Sequence, residues 1–154
     1  MKTYVIVGGV AGGAGTAARL RRLDEQAHII MFERGEHISY ANCGLPYYAG
    51  GTITERSRLF VVTAERFNEV FGVEVKTRHE VVSIHKEEQF VRVKDLQTGS
   101  EFDQYYDTLV LSPGAAPIRP RIPGIDDPAI YSLRSVSDVD AIVQKLENSQ
   151  TTRA

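Results

Sequence analysis

The sequence contains only one cysteine, Cys43, and this excludes an internal disulfide. Because structural disulfides belong to oxidising compartments, a chain without one is predicted to be cytoplasmic. No apolar run approaches the roughly 20 residues that a membrane span needs, so we expect no membrane partner. Lysine and arginine number 18 against 20 aspartates and glutamates, and this balance gives no support to a nucleic-acid partner. The four histidines are scattered, without the spacing of metal ligands, and no metal site is predicted.

The 154 residues that are present suffice for one domain with a core of its own. The strongest pattern lies in the first 33 residues, which have the size of a βαβ unit. We predict a strand over Tyr4–Val7, a glycine-rich turn over Gly8–Gly13, a helix over Ala14–Asp24, and a strand from His28 to Phe32 closed by Glu33. A short apolar run that ends at glycines is typical of a buried parallel strand.

The remainder of the chain alternates between loops and short elements. One short helix is predicted to begin near Cys43 and to end at Gly50. A second helix, Ala64–Phe71, has Thr63 as its N-cap and Gly72 as its stop. We further predict strands over Val73–Val75, Glu80–Lys86, Phe90–Lys94, Glu101–Tyr105 and Asp107–Leu111, a helix over Ser137–Asn148, and a disordered tail over 149–154. We expect three of these strands to form an antiparallel meander inserted into a βα framework: Glu80–Lys86, Phe90–Lys94 and Glu101–Tyr105. A turn over Asp95–Ser100 would join the last two as a hairpin.

The glycine turn approximates the G-x-G-x-x-G pattern of dinucleotide-binding sites, with Gly8 and Gly13 as its first and third glycines. Val10 occupies the second position, which is a departure from that pattern. Glu33 ends the second strand about 20 residues after the turn, where a carboxylate accepts hydrogen bonds from ribose hydroxyls. A pyrophosphate would bind at the N-terminus of the following helix, where free N–H groups favour anions. The alternative is a glycine turn in an unrelated α/β fold, with Glu33 a solvated strand end.

A second signal is the strand Thr108–Leu111 and the small-residue turn that follows it, Ser112-Pro113-Gly114-Ala115. Small residues let the backbone approach a ligand closely. Alone, this pattern fits any strand that runs into a loop. Together with the first turn and the intervening meander, it indicates the FAD domain of a flavoprotein.

The single cysteine has two interpretations. A lone cysteine is more often a small buried apolar residue than a nucleophile. Here, however, Asn42 is placed to cap a helix that starts at Cys43, and a helix N-terminus favours the reactive thiolate. Gly44 would let a ligand approach the sulfur, and Cys43 follows Glu33 by ten residues, a distance that could place it near the flavin end of an extended dinucleotide.

Three segments resemble the N-terminal part of the coenzyme A-disulfide reductases: the turn Gly8–Gly13, the strand end Phe32-Glu33-Arg34, and Ser39–Tyr48. These enzymes belong to the single-cysteine branch of the FAD-dependent pyridine nucleotide-disulfide oxidoreductases, with NADH oxidases and peroxidases. The resemblance covers nearly all of residues 1–150. It implies an α/β, Rossmann-like three-layer FAD-binding domain over residues 1–148, with a parallel sheet, helices and an inserted antiparallel meander.

The resemblance also implies site residues. The cofactor contacts would be Gly8, Gly9, Val10, Ala11, Gly12, Gly13, Glu33, Arg34, Asn42, Val82, Ser112, Pro113, Gly114 and Ala115. The coenzyme A contacts would be Arg22, Ser39 and Asn42, with Arg19 beside them. Against this, the two arginines are equally typical of a solvated helix face.

Cys43 would be the redox centre. It would cycle between thiolate and a mixed disulfide with coenzyme A, or between thiolate and sulfenic acid. Ile38 replaces the first cysteine of the C-x-x-x-x-C pair that other disulfide reductases use. Gly15 and Phe71 stand where relatives often carry polar or basic side chains, which leaves polysulfide, persulfide or oxygen as alternative electron acceptors.

Family members also contain an NAD-binding domain and a dimerisation domain, which this sequence lacks. We therefore expect a fragment of an NAD(P)H-dependent flavoenzyme whose parent is a homodimer. Its partners would be small-molecule disulfides or oxygen species. Two alternatives stay open, an NADH oxidase or peroxidase and a partial FAD-binding module without turnover.

Overall fold

The structure is a computed structural model that describes residues 1–148, so the expected tail over 149–154 lies outside the described residues. The elements in chain order are β1 (Thr3–Val7), α1 (Ala11–Leu23), β2 (His28–Glu33), α2 (Leu45–Ala49), α3 (Ala64–Phe71), β3 (Glu74–Thr77), β4 (His79–His85), β5 (Phe90–Asp95), β6 (Glu101–Tyr105), β7 (Thr108–Leu111) and α4 (Val136–Asn148). Two short 3₁₀ turns, Asn42–Gly44 and Arg56–Leu59, flank α2. The described residues divide into two compact units, residues 1–40 with 60–114 and residues 41–59 with 115–148.

The first unit contains a four-stranded parallel sheet in the order β3-β2-β1-β7. Tyr4 pairs with both Ile29 of β2 and Thr108 of β7, so β1 lies between them. β2 and β3 lie on one side of β1, and β7 lies on its other side. Both neighbours of β1 thus end at the same edge as the glycine turn, which is where open α/β sheets bind ligands.

The two faces of this sheet are covered by different elements, which confirms the predicted fold class. Alternate side chains of a strand point to opposite faces. Ile6, Ile29 and Met31 pack with Ala14 and Ala17 of α1 and Phe67 of α3. On the other face, Val5, Ile30 and Phe32 pack with Val91 and Val93 of β5. Helices, parallel sheet and antiparallel sheet therefore form three layers.

The predicted meander is present as the sheet β4-β5-β6, and both of its pairings are antiparallel. The predicted β5–β6 turn is fixed by Asp95, whose carboxylate accepts hydrogen bonds from the Gln97 N–H at 2.7 Å and the Thr98 hydroxyl at 2.9 Å. The N-cap of α3 is also as predicted, since Thr63 Oγ1 accepts from the Arg66 N–H at 3.2 Å. Gly72 ends that helix in the left-handed conformation, with φ +58°.

The first helix begins earlier than predicted, at Ala11 rather than Ala14. Glycine's low helix propensity argued for a turn as far as Gly13. A Cβ on Gly13 would stand 1.7 Å from the carbonyl oxygen of Gly8, so the first helical turn passes too close to the strand exit for any side chain. Close packing of helix and strand therefore overrides local propensity.

The second unit consists of the segment around α2 and the C-terminal segment that ends in α4. Asp138 stabilises the start of α4, because its Oδ2 accepts hydrogen bonds from the N–H groups of Arg134 at 3.0 Å and Ser135 at 2.8 Å. Val136 and Val139 are buried on its inner side. No helix of the described residues is long and apolar enough to cross a membrane.

Candidate functional site

The glycine turn is packed so tightly that side chains are excluded from it. Gly8 has φ +93°, and a Cβ there would stand 2.0 Å from the carbonyl oxygen of Ser112. A Cβ on Gly9 would stand 2.7 Å from Cγ2 of Ile38. The residues after β7 and those after β2 therefore both contact the turn. The first two sequence signals, which are 104 residues apart, meet at one edge of the sheet.

The N-terminus of α1 opens at this turn without a competing partner. Val10 is its N-cap and makes no side-chain capping bond, and its first turn contains no acidic residue. The first intrahelical bond runs from the Ala14 N–H to the Val10 carbonyl at 3.3 Å. The N–H groups of Ala11, Gly12 and Gly13 thus precede the hydrogen-bonded part of the helix. Such groups and the helix dipole attract anions.

Glu33 ties this turn to the loop after β2. Its Oε2 accepts a hydrogen bond from the Gly9 N–H at 2.7 Å, and its Oε1 accepts one from the Gly35 N–H at 2.7 Å. An ionised carboxylate has about four acceptor positions, so roughly one on each oxygen remains for a ligand hydroxyl. The carboxylate is partly buried. Its two hydrogen bonds orient the acceptor positions that remain.

A cleft of about 120 Å³ joins several predicted site residues within the first unit. Its walls are Val7, Gly8, Phe32, Glu33, Arg34, His79, Glu80, Val81 and Pro113. Four of these positions, Gly8, Glu33, Arg34 and Pro113, were predicted as cofactor contacts. The cleft therefore continues from the glycine turn towards the antiparallel sheet.

His79 is a wall of this cleft that no sequence pattern predicted. Its Nδ1 lies 2.8 Å from the carbonyl oxygen of Thr77, which can only accept, so Nδ1 carries the proton. The ring packs beside Phe32 and Phe102, with centroids 6.3 and 6.1 Å away. Only the packing of β4 against β2 brings this histidine to Glu33, and that contact has no local sequence signal.

Val82 lies at an irregularity of β4. Val81 pairs with Val93 and Ser83 with Arg92, so Val82 has no partner residue in β5. Its side chain is 46% exposed. Nearby, Arg34 reaches Glu80 at 3.9 Å across the cleft wall. A bulge of this kind leaves backbone groups available to a ligand.

Cys43 lies in the second unit, in the 3₁₀ turn Asn42–Gly44, and is exposed. The predicted cap at Asn42 is wrong, because Asn42 lies inside that turn and Ala41 precedes it without a side-chain capping bond. The local cause is a bond from the Gly44 N–H to the Ala41 carbonyl at 2.9 Å, which closes the turn one residue early. Asn42 and Ala115 belong to the same unit as Cys43.

The predicted substrate residues are distributed as follows. Ser39 is in the first unit, with φ +46°, and its N–H donates to the Gly9 carbonyl at 3.0 Å. Arg19 and Arg22 are exposed on α1 and form no ion pair with another described residue. Arg21 has a structural role, since its guanidinium donates to the carbonyls of Phe71 at 2.7 Å and Gly72 at 3.0 Å.

The first unit has a second, larger cavity of about 480 Å³ between the loop after β2 and the start of α3. Its walls include Glu36, His37, Phe60, Thr63 and Arg78. None of the predicted site residues lines it. The cleft at Glu33 is therefore the one that the sequence signals identify.

Comparison with known proteins gives a consistent result. Residues 2–153 match the family profile described as pyridine nucleotide-disulphide oxidoreductase. A coenzyme A disulfide reductase of Staphylococcus haemolyticus is 41% identical over 154 residues, a match that covers 100% of this chain and 34% of the relative. The chain thus spans about a third of the length of such curated relatives.

Two solved structures have the same fold over this length. Reduced Bacillus anthracis CoADR-RHD superposes with a TM-score of 0.93 and is 52% identical, covering 96% of this chain and 27% of that one. An NAD-dependent persulfide reductase from A. fulgidus has a TM-score of 0.89 and 32% identity, covering 94% of this chain and 28% of that one.

Proposed function

The chain belongs to the pyridine nucleotide-disulphide oxidoreductase family, and we propose that it is the FAD-binding part of a flavin-dependent NAD(P)H:disulfide oxidoreductase. The observation that carries this proposal is the meeting of Gly8, Gly13 and Ser112 beside the carboxylate of Glu33. A turn without side chains, an uncapped helix N-terminus and a ribose-binding acid are what a dinucleotide requires.

The residues present fit the adenosine diphosphate half of FAD. The pyrophosphate would bind at the N-terminus of α1, and the ribose hydroxyls would donate to the free lone pairs of Glu33. The adenine would enter the cleft beside His79 and the unpaired backbone of Val82. Because Glu33 is anionic, it would repel a 2′-phosphate on that ribose.

Replacing Glu33 with glutamine tests this site. A charge-assisted hydrogen bond contributes about 1.5–3 kcal/mol, so we expect the dissociation constant for FAD to rise roughly 10- to 100-fold in Glu33→Gln. Titration calorimetry measures it, with ADP as a second ligand that lacks the flavin. Glu36→Gln is the matched control, since Glu36 pairs with Arg78 at 3.0 Å outside the cleft. Equal affinity in all three proteins would refute the assignment.

We propose that Cys43 performs the redox chemistry. Its thiolate would attack coenzyme A disulfide, forming a Cys43–S–S–CoA bond and releasing one CoA thiolate. Two electrons and one proton would then cleave that mixed disulfide, regenerating the Cys43 thiolate and releasing the second CoA as a thiol. FAD, when bound, would supply these electrons after taking them from NAD(P)H. The thiol needs access to solvent for this role, and Cys43 is exposed.

More than one electron acceptor is compatible with the residues near this site. The exposed Arg19 and Arg22 suit the phosphates of coenzyme A, and Ser39 and Asn42 are the further contacts that we propose. A persulfide is supported by the likeness to the A. fulgidus reductase. With peroxide or oxygen, Cys43 would instead pass through a sulfenic acid.

Assays of the full-length parent with coenzyme A disulfide, polysulfide, peroxide and oxygen distinguish these acceptors. We expect Cys43→Ser to abolish disulfide reduction, because a hydroxyl cannot form the mixed disulfide. Thiol release at the wild-type rate would show that the cysteine assignment is wrong. For the 154-residue chain we expect weak FAD retention and little bleaching of the flavin band by NADH, since it would be a module without turnover.

We infer that the parent is a cytoplasmic homodimer whose partners are small molecules. The reduced thiol of Cys43 is the basis for the location, because such chemistry belongs to reducing compartments.

A further inference from the structure

A forked ion pair joins the segment that contains Cys43 to α4, within the second unit. Arg56 Nε donates to Asp140 Oδ1 at 2.9 Å and to Oδ2 at 3.1 Å, and Nη2 donates to Oδ2 at 2.8 Å. The two residues are 84 positions apart in the sequence. Bidentate pairs of this kind fix orientation as well as distance.

Arg56 is connected to the cysteine turn through Leu59. Arg56 begins the 3₁₀ turn that ends at Leu59, which is 0% exposed. The Leu59 carbonyl accepts a hydrogen bond from the Ala41 N–H at 2.8 Å. Its Cδ2 lies 3.2 Å from the position that a Cβ on Gly44 would take. Residues on both sides of Cys43 therefore contact Leu59, which lies three residues after Arg56 in the same 3₁₀ turn.

The helix of this segment is short. This helix, α2, has five residues and no side-chain cap, and so short a helix depends on tertiary contacts. Asp140 stands on α4, whose start is capped by Asp138 and whose Val136 and Val139 are buried. The fork thus ties the segment of this short, uncapped helix to a longer helix whose start is capped.

We propose that Arg56 and Asp140 are positioning residues for Cys43: the fork fixes Leu59 and thereby the backbone turn that presents the sulfur. This inference rests on the proposed redox role of Cys43. The competing interpretation is an ordinary surface ion pair, because the two side chains are 42% and 36% exposed and such pairs contribute little.

Two measurements on the 154-residue chain separate these interpretations. The first is hydrogen exchange at the amides of Ala41 and Gly44, which we expect to be about tenfold faster in Asp140→Asn through local opening. The second is a ratio of two rate constants: that for the reaction of Cys43 with coenzyme A disulfide, divided by that for its reaction with iodoacetamide. Attack on a disulfide needs alignment, whereas a small alkylating agent reports thiolate access, so we expect this ratio to fall about fivefold or more.

The controls use a pair of the same geometry. Arg92 binds Asp103 through a fork of 2.8 and 3.1 Å with exposures of 42% and 33%, so Asp103→Asn should leave both measurements unchanged. The charge-swapped variant Arg56→Asp/Asp140→Arg should restore both measurements in part. Arg56→Lys should give values between those of the wild type and those of Asp140→Asn. Wild-type values in Asp140→Asn, or the same change in Asp103→Asn, would overturn the proposal. If the wild-type chain fails to react with coenzyme A disulfide, the proposed function fails instead, and amide exchange still decides the role of the fork.

Discussion

Gly13 and Gly15 of α1 differ in how tightly their surroundings are packed. A Cβ on Gly13 would meet the Gly8 carbonyl oxygen at 1.7 Å and Cγ2 of Ile6 at 3.2 Å. A Cβ on Gly15 would meet nothing within 4 Å. Gly13 is therefore required by the close approach of helix and strand, whereas Gly15 only lowers the helix propensity.

We expect Gly13→Ala to destabilise the chain by at least about 2 kcal/mol, because the Gly8 backbone must move to accommodate the methyl group. Gly15→Ala should instead be neutral or stabilise it by up to about 1 kcal/mol, the difference between the two residues in a helix. Urea unfolding followed by circular dichroism measures both. Equal free energies of unfolding for the two variants would contradict this account of the turn.

At the scale of residues, spacing predicted that Glu33 and the glycine turn would lie together, but it did not predict every wall of the candidate cleft. Glu33 could be found because the length of a βαβ unit fixes where its second strand ends. His79 could not, because its place in the cleft depends on how the meander packs on Phe32. The capping role predicted for Asn42 was wrong, because the bond from the Gly44 N–H to the Ala41 carbonyl places Asn42 inside the 3₁₀ turn.

Among the elements, the β5–β6 turn depends most clearly on one side chain. Hydrogen bonds from the Gln97 N–H and the Thr98 hydroxyl lower the pKa of Asp95. A carboxyl group with a lowered pKa in the folded state adds stability above its ordinary pKa of about 3.9. That stability is lost as the pH falls through the lowered value.

We therefore expect Asp95→Asn to have a lower Tm than the wild type at pH 7. The difference should narrow below about pH 4, where the unfolded carboxyl group protonates, and vanish once the folded one is protonated too. Thermal unfolding across an acid series checks this. A gap between the two curves that stays constant down to the lowest pH would show that the charge of Asp95 has no part in the turn.

Local elements were easier to predict than their arrangement. The hairpin, the Thr63 cap and the Gly72 stop are determined by neighbouring residues, and all three are as predicted. The predicted start of α1 was wrong by three residues, because the true start depends on the close approach of the helix to Gly8. The grouping of residues 41–59 with the C-terminal segment is also tertiary, since it rests on contacts such as that between Arg56 and Asp140.

Considered as a whole molecule, the chain exposes many apolar side chains in its second unit. They lie in the proline-containing stretch before α4 and comprise Ile118, Ile122, Ile130, Tyr131 and Leu133, with exposures between 39% and 91%. Exposed apolar groups that lie close in sequence favour association in water.

We expect the isolated chain to self-associate through this stretch. Ile118→Ser combined with Ile122→Ser should shift the weight-average mass towards the monomer across a concentration series in sedimentation velocity. Val61→Ser is the control, since Val61 is 74% exposed but belongs to the first unit. An equal shift in the control, or none in the double variant, would mean that association has another origin.

The carboxylate of Glu33 has one further consequence. Its bonds to the N–H groups of Gly9 and Gly35 hold the glycine turn and the loop after β2 in a fixed geometry. The dinucleotide would therefore meet a preorganised loop, and the conformational entropy of that loop is lost during folding rather than during binding. The same two oxygens that fix these loops would also accept hydrogen bonds from the ribose hydroxyls of the proposed cofactor.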